Sequence, residues 1–141
     1  MDRLKVSSVL LVVIGVAVIA IGVMYISTPR IMSYHENFIG MTHEEIIDIN
    51  PRLADMMLVL LKGIGVCSIG LGILGIAVSV KIYREGEKWA WYAMLVIGGT
   101  VVIGGQILFV TTFSILPGIL DIILAILWIV GMALPAKEIL S

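Results

Sequence analysis

Apolar residues run almost unbroken over about 6–26, 51–80, 89–113 and 116–134, and the polar positions collect between these runs and at the ends. Each run supplies the roughly 20 apolar residues that a helix needs to cross a ~30 Å hydrocarbon core. Inside lipid every backbone amide must find its partner within the segment, which makes helix the expected conformation. The runs do not alternate in polarity, so they do not read as barrel strands. The pattern therefore predicts an all-α fold, a four-helix transmembrane bundle forming a single transmembrane domain over residues 1–141. Residues 27–50 form its long outer loop. Arg3 and Lys5 ahead of the first run resemble the basic start of a signal peptide. The apolar stretch from Val6 to Met24 is longer than the roughly 7–15 residues of a signal sequence, and no small-x-small cleavage site follows it. It reads as a retained span.

The outer loop carries local signals of its own. Thr42-His43-Glu44-Glu45 has the form of a capping box, with Thr42 as N-cap and Glu45 reaching back, and Met41 and Ile46 stand at the staple positions. A short helix over 43–49 should follow. It sets Ile46, Ile47 and Ile49 beside Glu44, Glu45 and Asp48, the pattern of an amphipathic helix lying on the outer membrane surface or lidding the bundle. Asn50 can cap the second span and Pro51 can take its first position.

Composition agrees with a membrane solvent. Hydrophobic residues make up 60% of the 141 and charged residues 13%, against roughly 25% charged in soluble domains. A net charge of −1 provides no basic field for nucleic acid. The basic residues set an orientation. Arg3 and Lys5 precede the first span, Lys81, Arg84 and Lys88 lie between the second and third, and Lys137 follows the fourth. The first loop has Arg30 against Glu36, Glu44, Glu45 and Asp48. Both termini and the second loop are therefore expected at the cytoplasmic face of the cell membrane, with the first and third loops outside. Trp89, Trp91 and Tyr92 then sit at the inner interface as an aromatic anchor.

Two charges fall inside the apolar runs: Lys62 in the second and Asp121 in the fourth. A central charge costs about 2.5–3.5 kcal/mol on insertion scales, so a partner is expected. Counting 1.5 Å per residue from the outer ends puts Lys62 and Gln106 at roughly 9 Å depth and Asp121 at roughly 7 Å. Asp55, Lys62, Gly65, Ser68, Gly72, Gly75 and Ser79 follow steps of three, four or seven, as do Gly118, Asp121, Ala125, Trp128 and Gly131. Small-residue stripes are where membrane helices pack closely. This predicts a structural Lys62–Asp121 ion pair with Gln106 as hydrogen-bonding neighbour. The same cluster, with His35 or His43 above it, is the candidate ligand site. Lys62 snorkelling alone to the surface is the plainer alternative.

Other chemistry is sparse. The single cysteine, Cys67, excludes an internal disulfide and reads as a packing residue. His35, Glu36, His43 and Glu44 match no standard zinc spacing, and no nucleophile elbow, P-loop or dinucleotide fingerprint occurs. No catalytic residue, cofactor or metal is assigned. The inner half of the spans holds no charged group, and the first span lacks the carboxylate on which small multidrug exporters rely. Gly98-Gly99 and Gly104-Gly105 suit close helix contact.

Three stretches carry a resemblance: Tyr34-His35-Glu36-Asn37-Phe38-Ile39-Gly40-Met41, Lys62 after a leucine run, and Arg84-Glu85-Gly86-Glu87-Lys88-Trp89-Ala90-Trp91. Together they resemble small prokaryotic four-helix integral membrane proteins of unknown function. The resemblance implies the same fold and topology and brings no activity. The expected role is a non-catalytic binding or assembly protein, partnered by the bilayer and by a homo-oligomer or a larger membrane complex. The alternatives are a membrane enzyme or lipid-binding protein using the outer-leaflet cluster, and a small-solute transporter or channel.

Overall fold

The computed structural model describes residues 3–81, 83–112 and 115–141, with the side chains of 108–117 left aside. The expected helix end at Phe113 and the side chain of Leu116 lie outside the described residues. Every regular element described is helical: α1 (Arg3–Ser27), α2 (Ser33–Ile39), α3 (His43–Ile49), α4 (Pro51–Lys81), a 3-10 turn (Tyr83–Glu85), α5 (Lys88–Thr112), α6 (Ile115–Ala133) and α7 (Ala136–Leu140). Three of the long helices, α1, α4 and the Lys88–Ile107 part of α5, are long and apolar enough to cross a membrane. The described apolar part of α6, Gly118–Ala133, is shorter.

The main contact is between α1 and α4, which run antiparallel. Small residues a heptad apart face each other along it: Ser8 opposite Ser79, Gly15 opposite Gly72, and Gly22 opposite Gly65. A Cβ at Gly72 would come within 2.7 Å of the Gly15 carbonyl oxygen, so the two backbones touch. Close backbone approach through small residues is how apolar helices gain packing where lipid removes the hydrophobic drive. The Ser8 hydroxyl adds a hydrogen bond to the Ser79 carbonyl at 2.7 Å.

The second hairpin, α5 and α6, works by knobs and recesses. A Cβ at Gly98 would collide with the Trp128 indole, and one at Gly105 with the Asp121 carboxylate. Gly98 and Gly105 are a heptad apart, as are Asp121 and Trp128, so the two large side chains of one face enter the two gaps of the other. The Trp128 indole N–H also donates to the Met94 carbonyl at 3.3 Å. The core between the hairpins contains Leu11, Ile14, Val18, Val78, Met94 and Leu124.

One end of the molecule, called here the tail end, holds both termini, the 3-10 turn and α7. Tyr83 is fully buried there, and its hydroxyl donates to the Gly131 carbonyl at 2.8 Å. Trp91 donates to the Met132 carbonyl at 3.1 Å. These carbonyls belong to the last turn of α6, where the helix itself provides no partner. Trp91 is thus an internal cap, while Trp89 and Tyr92 are exposed. The terminal helix α7 buries Ile139.

The opposite, cap end is built on α4. The α1–α4 register puts Ser27, the last residue of α1, level with Leu60, so nine residues of α4 project beyond α1. Tyr25, Ile31, Ile46, Ala54 and Leu61 form a second core there. The capping box over α3 forms as its sequence predicts, with Glu45 N–H donating to the Thr42 hydroxyl at 3.2 Å and Thr42 N–H to the Glu45 carboxylate at 2.7 Å. Asn50 accepts from Arg52 N–H at 3.1 Å and Pro51 opens α4.

Candidate functional site

The five expected site residues do not converge. Among the described residues no ion pair joins Lys62 to Asp121, which corrects the expected clamp. The reason lies in helix phase. Gly65 and Gly72 face α1, and a Cβ at Gly75 would face Met94 and Ile97 of α5. At about 100° per residue, Lys62 is turned roughly 140° from Gly75, away from the hairpin that holds Asp121. Lys62 is accordingly exposed. Depth separates the two as well. Leu11 lies against Gly131 and Gly22 against Gly65, so Asp121 is level with Ile21 and Val66, four residues further from the cap than Lys62. Lys62 stands level with Tyr25, near the cap end of α1.

The expected Gln106 neighbour is present. The Gln106 side-chain amide donates to Asp121 Oδ2 in a short contact. Asp121 is 8% exposed, and the carboxylate presses on the bare backbone of Gly105. This makes a polar contact between α5 and α6 in which Asp121 is buried and Gln106 part-buried.

His35 and His43 belong to the cap, in a network of their own. Glu36 Oε1 accepts from Arg30 Nη2 at 2.8 Å and from His43 N–H at 2.9 Å, and so ties the chain before α2 to α2 and to the start of α3. Arg30 also meets Glu44 at 3.3 Å. The backbone donor from His43, and then the Arg30 guanidinium, hold the Glu36 carboxyl below the usual carboxylate range. Glu36 in turn raises the already high value of Arg30. The Tyr25 and Tyr34 hydroxyls share a hydrogen bond of 2.7 Å, and the His35 ring packs on Tyr34 at 4.2 Å between centroids. Burial lowers the tendency of His35 to take a second proton and raises the Tyr34 phenol well above its ordinary value. The Nδ1 atoms of His35 and His43 are enclosed without a hydrogen-bond partner.

Among the described residues no three His, Cys, Asp or Glu side chains gather as a metal set. A cavity of about 20 Å³ lies between the hairpins, lined by Leu11, Gly15, Gly72, Met94, Gly98 and Trp128. It is apolar and has room for little more than one water, so it provides neither space nor polar anchors for a substrate.

The sequence signal missed in advance was the heptad Ser8, Gly15, Gly22 in α1, which matches Gly65, Gly72, Ser79 in reverse order. The Arg30–Glu36 clasp has no signal in the sequence, because Glu36 reaches the start of α3 only once α2 has formed. No protein-family model, curated protein or solved structure matches the chain.

Proposed function

We propose that the chain is an integral membrane protein in which α1, α4, α5 and α6 form a four-helix transmembrane bundle with both termini at the cytoplasmic face. Its role in this reading is non-catalytic: binding or assembly within the membrane, as an oligomer or as a subunit of a larger complex. The charge pattern supports the orientation, since Arg3, Lys5, Lys81, Arg84, Lys88 and Lys137 belong to the tail end and Glu36, Glu44, Glu45 and Asp48 to the cap. Exposed Ile47 and Ile49 beside buried Ile46 support α3 as an amphipathic helix touching the outer interface. The likeness of the Tyr34–Met41 and Arg84–Trp91 stretches to small prokaryotic four-helix proteins supports the same topology.

One observation carries the assembly reading. A Cβ at Gly15, Gly22, Gly65, Gly72, Gly98 or Gly105 would strike a neighbouring helix. A Cβ at Gly63 or Gly70 would meet nothing within 4 Å. These two glycines and Ala77 repeat the heptad spacing on the open face of α4. A glycine inside a helix costs about 0.5–1 kcal/mol relative to alanine, and no contact among the described residues offsets that here. A helix from outside the chain would offset it.

The native Cys67, exposed near this face, provides the test. Oxidative or bismaleimide cross-linking of the full chain in native membranes should give a dimer or a defined heteromeric product. Gly70→Ile should abolish that product while leaving the chain in the membrane. A chain that stays monomeric at every cross-linker length would remove the assembly reading.

A further inference from the structure

We propose that Asp121, backed by Gln106, is a proton-binding site in the outer half of the membrane, loaded and emptied from the outer face. The proposal rests on the transmembrane reading above. Asp121 is 8% exposed and receives its hydrogen bond from the neutral Gln106 amide. Gly105, lacking a Cβ, leaves the recess that the carboxyl group fills. The helices packed against α6 bring no countercharge to this level. Between Lys5 and Tyr25, α1 has no ionisable residue, and beyond Tyr92, α5 has none. Asp121 is the single ionisable residue of α6, and Lys137 and Glu138 of α7 lie at the tail end. Lys62, on α4, faces away. A buried carboxylate needs a cation or several donors, whereas a carboxylic acid needs only ordinary hydrogen bonds. A bound proton therefore supplies what the surroundings lack.

The route is one-sided. Toward the tail end the spans hold no carboxylate, histidine or amine to pass a proton on, which a through-relay requires. The site thus responds to the outer medium without conducting across. The neutral acid–amide pair holds α5 on α6, and loss of the proton puts a bare charge against the Gly105 backbone at that contact.

A lipid-soluble carbodiimide on membranes containing the full chain tests this. The carboxylic acid adds across the N=C=N group, its oxygen bonding to the central carbon and its proton passing to nitrogen. An O-to-N acyl shift then leaves a stable N-acylurea. Peptide mapping should find the adduct on Asp121, with a yield falling about tenfold or more as the pH rises from about 6 to about 10. Asp121→Asn should give no adduct. Should that variant fail to insert, Gln106→Leu keeps the carboxyl group and should move the pH midpoint. Infrared spectra of wild type minus variant should show a protonated-carboxyl band at neutral pH that turns to carboxylate in alkali. A carboxylate band throughout, a yield indifferent to pH, or protection by sodium at fixed pH would each overturn the proposal. Alkaline carbonate extraction of the same membranes separates the two failures. A chain released by carbonate sinks the membrane reading itself, while a retained chain without the acid band sinks the proton site alone.

Discussion

Gly22 and Gly65 face each other so closely that the carbonyl oxygen of each takes the space of the other's missing Cβ, at 2.6 and 2.7 Å. The pair fixes the distance and register of α1 against α4. Gly22→Ala or Gly65→Ala should cost about 1–3 kcal/mol, the usual range for overpacking. Gly63→Ala, on the open face of the same helix, should be neutral or raise monomer stability by about 0.5–1 kcal/mol. Thermal unfolding in detergent compares them, and an equal loss at Gly63 would contradict the interface assignment.

The α5–α6 contact predicts a rescue. Gly98→Ala puts a methyl group into the Trp128 indole, so it should lower the melting temperature by itself. Combined with Trp128→Leu, which vacates the space, the alanine should cost much less than in the wild-type background. Residues in contact couple by about 0.5–3 kcal/mol in such cycles, and additive losses would show that the two do not meet.

Lys62 and Asp121 should behave as independent sites. Lys62→Met should leave the fold intact, because the amine is exposed and unpaired with the carboxylate. In the cycle with Asp121→Asn the two changes should add within about 0.3–0.5 kcal/mol, the limit for separated positions. The reciprocal swap, Lys62→Asp with Asp121→Lys, should restore nothing. Recovery of folding in the swap would reinstate the ion pair.

What was legible in the sequence was what lipid and local hydrogen bonding dictate. The long helices follow from apolar run length, and the Thr42–Glu45 capping box from a four-residue pattern that closes on itself. The facing of Lys62 was not legible. Steps of three, four and seven from Asp55 to Ser79 cover roughly 160° of the helix, which is wide enough to include the α1 side, the α5 side and an exposed edge at once. Only the matching heptad in α1 narrows it to Gly65, Gly72 and Ser79. Helix α2 gave little warning because its N-cap, Met32, has no capping side chain. Its stop signal is Gly40, at φ 75° in the left-handed region that glycine enters freely. The Gln106–Asp121 neighbourhood was readable from the common depth of the two residues and from the Gly118–Gly131 stripe that carries Asp121, which does face inward.

Tyr83→Phe isolates a single hydrogen bond. The ring stays buried while the Gly131 carbonyl, in the last turn of α6, loses its donor. The expected loss is about 1 kcal/mol, rising toward 3 if water cannot reach the carbonyl. Hydrogen exchange should quicken in the last turn of α6 and in α7 before it changes in α1. Uniform quickening across the bundle would mean that Tyr83 acts through the whole core instead of through that cap.

The cap should come loose in acid, and Glu36 sets the sign. Its carboxyl group sits below the ordinary 4.5 in the folded state, chiefly through the His43 backbone donor and then Arg30. A carboxyl group lowered by folding stabilises the fold at pH values above its unfolded pKa. That contribution is lost as the pH falls below about 4.5 and through the lowered folded value. Between neutral pH and about 5, burial of neutral His35 should weaken the protection of the α2 and α3 amides as the pH falls below about 6.5, and Glu36 should add a separate acid step below about 4.5. Glu36→Gln should show the weaker cap at every pH and no acid step, because the glutamine still accepts from His43 N–H but holds no charge against Arg30. Thr42→Ala removes the neighbouring cap and should cost about 1 kcal/mol without altering the acid step. If the step survives in Glu36→Gln, the titrating group is another carboxylate of the cap and the clasp is not its origin.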